Sequence, residues 1–286
     1  MSIVLVASSE PRVGRSLLAA AVAYRMGRAG KGVTLARLAG DESAAADAAA
    51  FAALAHIVSP GAPVAPGDVA SLSGDVVLEA PVGSVREVAA SLGARVLVIG
   101  TAGGDTVDAL EGAVVGTVLT RVPASAAADA ASRAGVLAVW AEERVLAAPS
   151  VADIAAALDA EWLGGRGGRY TVDRVMIGTV ASDAAEPYFA ERQRTCVVTR
   201  FDKTDIQLAA LLTDLRCLVI TGGGDPSPYL LDRVTQEDVA VLRTKGSTPE
   251  SVRAIEGLYT LSRFEGEGKL QRAVELLDQA NFPTEF

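Results

Sequence analysis

Short, continuous apolar runs punctuate the first half of the chain: IVLVA (3–7), VVLEA (76–80), VLVIG (96–100), VVGTVLT (114–120) and VLAVW (136–140). Each is about one strand long and rich in β-branched residues, the pattern of a parallel strand covered on both faces. Between and after them, stretches of helical period rich in Ala and Leu, at 16–28, 44–55, 84–92, 124–134 and 150–158, predict helices, so strand and helix alternate. The alternation restarts with VDRVMIG (172–178), TCVVT (195–199), CLVIT (217–221) and VAVLR (239–243), with helical patterns near 204–213, 226–234, 249–256 and 269–279. The expected class is therefore α/β: a parallel-sheet domain over 1–160, a linker over 161–169, and a smaller α/β domain over 170–286. The linker is placed on DAEWLGGRGGR (159–169), where glycines and arginines favour a flexible connection.

A chain of 286 residues has room for two domains of ordinary size, and its 50% hydrophobic content supports packed cores. With 26 basic against 35 acidic side chains the net charge is −9, which gives no attraction for a nucleic-acid backbone or an anionic membrane surface. The two cysteines, Cys196 and Cys217, lie inside apolar runs and read as small hydrophobes, not as a disulfide framework. The N-terminus MSIVLVASSEP has neither a basic region nor an apolar stretch long enough for a signal peptide or a spanning helix, so a cytoplasmic location is expected. The single histidine, His56, falls in the Ala-rich helical stretch with no second ligand nearby, so zinc chemistry and a Ser-His-Asp triad lose their support.

Chemistry is expected at two loops. After the first strand, SSEPRVGRS (8–16) leads into a helix, the place where glycines let backbone amides converge on phosphate and the helix terminus adds positive charge. Gly14 and Ser16 fit the end of G-x-x-x-x-G-K-[ST], but Ser9 stands at the first glycine and Arg15 at the lysine. Ser9, Arg12, Gly14, Arg15 and Ser16 are the candidate nucleotide-binding residues, with ATP or another nucleotide and Mg²⁺ as the expected ligands. Ser16 and Glu79, at the end of DVVLEA, are the candidate metal ligands. The planar guanidinium of Arg15 replaces a compact ammonium, so hydrolysis is expected to be impaired or lost. The competing reading is a plain turn between strand and helix.

The second loop is TGGGDPS (221–227), which follows an apolar run and opens a helical pattern. Asp202-Lys203-Thr204-Asp205 occupies the equivalent loop one unit earlier, with Thr204 or Asp205 able to cap the following helix. Asp202, Lys203, Thr204, Gly222, Gly223, Gly224 and Ser227 are the candidates here for a small nucleotide-like or anionic ligand; turn glycines with a helix cap are the alternative. Glu142-Glu143 and the stretch 263–267 read as solvated turns.

The stretches AEERVLAAPSVADIAAAL (141–158) and VVGTVLTRVP (114–123), with VVTRFDKTDIQLAAL (197–211) and CLVITGGGDPSPYLLDRV (217–234), resemble a dethiobiotin synthetase-like P-loop domain joined to a DRTGG domain. That pairing occurs at the N-terminus of long phosphotransacetylases and in stand-alone proteins. The name-giving residues map onto Asp202, Lys203, Thr204, Gly222 and Gly223, with lysine where the family has arginine. After Glu79 the chain has LEAPVG in place of a V-E-G-x-G-like stretch, and it is short between Leu38 and Asp75. The resemblance implies a non-catalytic or weakly catalytic regulatory protein that senses a nucleotide or small anion and forms a homodimer through its DRTGG-like half. An ATP-dependent ligase or ATPase, and an interaction scaffold that binds no nucleotide, are the alternatives.

Overall fold

A computed structural model describes the chain apart from residues 84, 105–107, 109–111, 166, 167, 169, 235–238, 262, 265, 266 and the side chain of 182. The expectations for Ser84, for Arg166 and Arg169 and for part of 263–267 therefore lie outside the described residues. The chain divides into two compact units, Met1–Leu146 with Glu267–Phe286, and Ala147–Gly266.

The first unit runs β1 (Ile3–Ala7), α1 (Arg15–Arg28), β2 (Val33–Arg37), α2 (Ala44–Ala52), β3 (Asp75–Glu79), α3 (Arg86–Leu92), β4 (Arg95–Thr101), β5 (Val114–Val122), α4 (Ala127–Ala131) and β6 (Val136–Ala141), followed by the short α5 (Arg144–Ala147). Its six-stranded sheet has the order β2-β3-β1-β4-β5-β6 and is parallel throughout. Leu5 of β1 sits opposite Leu78 on one side and Val96 on the other, and all three are fully buried. Continuous apolar runs are thus what this sheet requires, because helices cover both faces. β1 is central, and the chain leaves it towards β2 on one side while β4 to β6 extend on the other. Its carboxyl end is therefore the switch point where open α/β sheets form their crevice.

The second unit runs α6 (Val151–Ala157), β7 (Glu161–Gly164), β8 (Arg174–Ile177), α7 (Ser182–Ala190), β9 (Thr195–Arg200), α8 (Thr204–Leu211), β10 (Leu215–Thr221), α9 (Pro228–Val234), β11 (Ala240–Arg243) and α10 (Thr248–Leu258). The sheet order is β7-β11-β10-β9-β8, parallel except for β7. Alternate residues divide between two cores. Val197, Leu218, Ile220 and Val241 pack with residues of α7, α8 and α9, while Cys196, Val198, Cys217 and Val219 pack with residues of α6 and α10. That division is the period-two consequence of a strand buried on both faces.

Six features depart from the sequence expectation. The strand β2 (VTLAR) was not expected, because Thr34 and Arg37 interrupt its apolar character; both are buried, Thr34 donating to the Ser73 carbonyl. Residues 161–164 are strand, not linker: β7 pairs antiparallel with β11, and Glu161 binds Arg243 through its Oε2 at 2.6 Å. The helix α7 carries Pro187 in its interior, which hid it, yet buries Ala185 and Phe189 completely. Finally α11 (Glu267–Gln279) belongs to the first unit. Arg25 of α1 donates to Asp278 (2.7 Å) and to the Phe282 carbonyl (2.8 Å), while Arg272 forks onto both oxygens of Glu143 at 2.6 Å. Glu143 is therefore an anchoring carboxylate, not part of a solvated turn, and His56 lies in a turn after α2 with φ 64°, outside the helix.

Candidate functional site

The turn between β1 and α1 brings Ser9, Arg12, Gly14, Arg15 and Ser16 together at the switch point of the first sheet. Gly14 is the N-cap of α1 with φ 96°, a left-handed conformation that side chains rarely adopt. The ring of Trp140, itself 1% exposed, lies beside it at ordinary contact distance, 3.7 Å from where a Cβ on Gly14 would stand, so the backbone conformation and not crowding favours glycine here. Arg12 is exposed with φ 57°, and its carbonyl accepts from Arg121 Nη2 at 2.6 Å.

Arg15 turns inward. Its Nη1 donates to the Ala80 carbonyl at 2.8 Å, its Nε lies 3.8 Å from Glu79 Oε1, and the side chain is 8% exposed. Ser16 Oγ donates to the same Glu79 oxygen at 3.0 Å. From the other side the fully buried Arg37 places its Nε 3.5 Å from Glu79 Oε2 and 3.3 Å from Asp47 Oδ2, and pairs with Asp41. Glu79 is 1% exposed, and its pKa is raised to about 7. Burial is the main cause and Asp47 adds to it; Arg37, Arg15 and Ser16 pull in the opposite direction.

This arrangement does not suit a divalent cation. Ser16 is bonded to Glu79 Oε1, Glu79 Oε2 accepts no hydrogen bond, and two guanidiniums already face the carboxylate. Among the described residues no cluster of three acidic, histidine or cysteine side chains is placed to hold a metal. The crevice beside β1 is also bridged: Glu10 accepts from the Thr101 amide and from the Thr101 hydroxyl, both at 2.9 Å, tying the loop to the end of β4. Sequence reasoning passed over Glu10 and Arg37, since neither belongs to a local pattern and their partners are tens of residues away.

In the second unit the signature residues lie on adjacent loops at the carboxyl end of the sheet. Asp202 accepts two bonds from Arg200, at 3.0 and 3.1 Å, which holds its carboxyl below the usual range. Lys203 is the N-cap of α8 and makes no side-chain cap bond, and Thr204 is the first residue of the helix, so the cap position falls on Lys203 and not on Thr204 or Asp205. Beneath them the fully buried Gln207 donates to the carbonyls of Arg200 (2.6 Å) and Phe201 (3.2 Å).

The glycines have a packing reason. A Cβ on Gly224 would lie 2.3 Å from the Phe201 ring, so only glycine lets the two loops close on each other. The amides of Gly222 and Gly223 donate to the carbonyls of Gly246 (2.9 Å) and Thr244 (3.1 Å), which leaves neither directed at an anion. Ser227 Oγ accepts from the Leu230 amide at the start of α9. Threonine hydroxyls complete the closure: Thr199 bonds the Gly178 carbonyl, Thr221 the Thr199 carbonyl and Thr244 the Leu158 carbonyl. Lys203 and Lys245 are exposed on these loops, as is Arg200, which is paired with Asp202.

Residues 153–258 match the model of the DRTGG domain family, so this part of the second unit is a DRTGG domain. Among solved structures, the chain is similar to the CBS and DRTGG domains of the regulatory region of Clostridium perfringens pyrophosphatase, solved with its activator diadenosine tetraphosphate. The identity is 17%, the TM-score is 0.37, and the match covers 44% of this chain and 56% of that one.

Proposed function

We propose that this is a non-catalytic regulatory protein that senses a nucleotide or small anion, built from a degenerate dethiobiotin synthetase-like P-loop domain and a DRTGG domain. The observation that carries the reading is the inward fold of Arg15. Phosphoryl transfer needs a cation at the β- and γ-phosphates and a metal held by a hydroxyl and an acid. Here the cation is bonded to Ala80 and faces Glu79, and the hydroxyl is bonded to the acid. The groups that chemistry would use brace the interior instead.

Sensing is assigned to the DRTGG loops, where Lys203 and Lys245 supply exposed positive charge beside the tightly closed glycine segment. Self-association belongs to the same proposal, through the open edge of β8, where Ile177 is 38% exposed. Calorimetry with ATP and ADP, phosphate release with Mg²⁺ and light scattering test these parts on the full chain. Expected are binding that Lys203→Ala with Lys245→Ala weakens tenfold or more, no turnover in the parent or in Arg15→Lys, and a dimer. Turnover near the ~10 s⁻¹ typical of enzymes refutes the non-catalytic reading. No heat with either nucleotide favours the scaffold, and a monomer at micromolar concentration removes the β8 interface.

A further inference from the structure

The chain has two cysteines in 286 residues, and the fold makes them direct partners: Cys196 of β9 is in register with Cys217 of β10 on adjacent parallel strands. Both are fully buried, in the core shared with α6 and α10, and neither is in a disulfide. Their alternation parity puts both side chains on one face of the sheet, in the same buried cluster. Twenty residues separate them in sequence, so nothing local imposes this pairing. Packing alone asks only for small apolar side chains, which the surrounding valines supply.

We propose that Cys196 and Cys217 form a reversible intramolecular disulfide, a redox-sensitive clamp across the two strands that deliver the Asp202 and Gly222 loops. Neighbouring strands lie about 4.8 Å apart, inside the roughly 4.4 to 6.8 Å range that disulfide Cα atoms span. The Cβ separation of registered neighbours exceeds the ~3.8 Å mean for a disulfide, so closure pulls the strands together and the bond is of the strained, easily reduced kind. Zero exposure restricts the oxidant to one as small as hydrogen peroxide, which enters as the sheet breathes.

The sulfur of Cys196 attacks the peroxide, the O–O bond breaks, and Cys196 becomes a sulfenic acid with release of one water. The sulfur of Cys217 then attacks that sulfur; the S–O bond breaks, the S–S bond forms, and the thiol proton leaves with the hydroxyl as a second water. Two electrons pass from the sulfurs to the peroxide. Burial and the neighbouring Cys196 push the Cys217 thiol up, which makes the reaction slow in the closed fold and sensitive to anything that loosens the sheet.

The test treats the full chain with hydrogen peroxide, unfolds it in denaturant with an alkylating reagent, and reads the mass. Expected is a chain lighter by two hydrogens and bearing no alkyl group, which dithiothreitol converts to one bearing two. Cys196→Ala and, separately, Cys217→Ala must abolish that species; two variants guard against the failure of one to fold. Two alkylated thiols after prolonged peroxide, sulfinic or sulfonic products in place of the bridge, or a disulfide joining two chains would each overturn the proposal.

Discussion

Replacing Glu79 with glutamine isolates the cost of keeping a carboxylate beneath the first loop. Glutamine preserves the shape and can still accept from Ser16, but does not titrate. With the folded pKa about 7 against the ordinary 4.5, the folded chain binds this proton more tightly than the unfolded chain does. The stability this contributes is fully present below pH 4.5 and is lost as the pH rises through 7, because unfolding then releases the carboxyl to ionise in water. At 1.36 kcal/mol per unit, the loss between about pH 5 and pH 8 comes to roughly 2 to 3 kcal/mol. The assay is urea unfolding of the parent and Glu79→Gln at both pH values, in a Trp162→Phe background. The remaining tryptophan, Trp140, is buried in the first unit and reports on it. The parent should lose roughly 2 to 3 kcal/mol relative to the variant on going to the higher pH. An unchanged difference, or a parent that gains, would show that Arg15 and Arg37 outweigh burial and would refute the reasoning.

Two further substitutions probe the packing. Gly224→Ala drives a methyl into the Phe201 ring and should cost about 1 to 3 kcal/mol in denaturant unfolding, partly restored by Phe201→Leu; an unaffected single variant counts against the steric account. Leu277→Ala, in the fully buried stripe of α11, should destabilise the first unit by about 2 to 5 kcal/mol on the Trp140 signal. A change seen only in the second unit would mean that α11 does not belong where the fold places it.

Local pattern was enough for most strands and helices and for the positions of both loops. A run such as IVLVA or CLVIT is apolar because two layers of helix cover it, and that requirement is written in consecutive residues. The class of sheet and the turn after β1 followed from such runs and their punctuation, whereas the signature of residues 202–223 came from the resemblance to the DRTGG family. Elements whose local character is mixed escaped: β2 with its buried Thr34 and Arg37, β7 inside a glycine-rich segment, and α7 with its proline.

What only the tertiary structure decided is where charge and sulfur meet. The sequence shows Arg15 in a loop that presents cations to phosphate, but the direction of its side chain depends on Ala80 and Glu79, which reach it through the strand order β3-β1-β4. The return of α11 to α1 and the meeting of Cys196 with Cys217 have the same origin. Hydrophobic periodicity records which face of an element is buried, whereas the choice of neighbour is made by chain crossovers between residues distant in sequence, and no short window contains both partners.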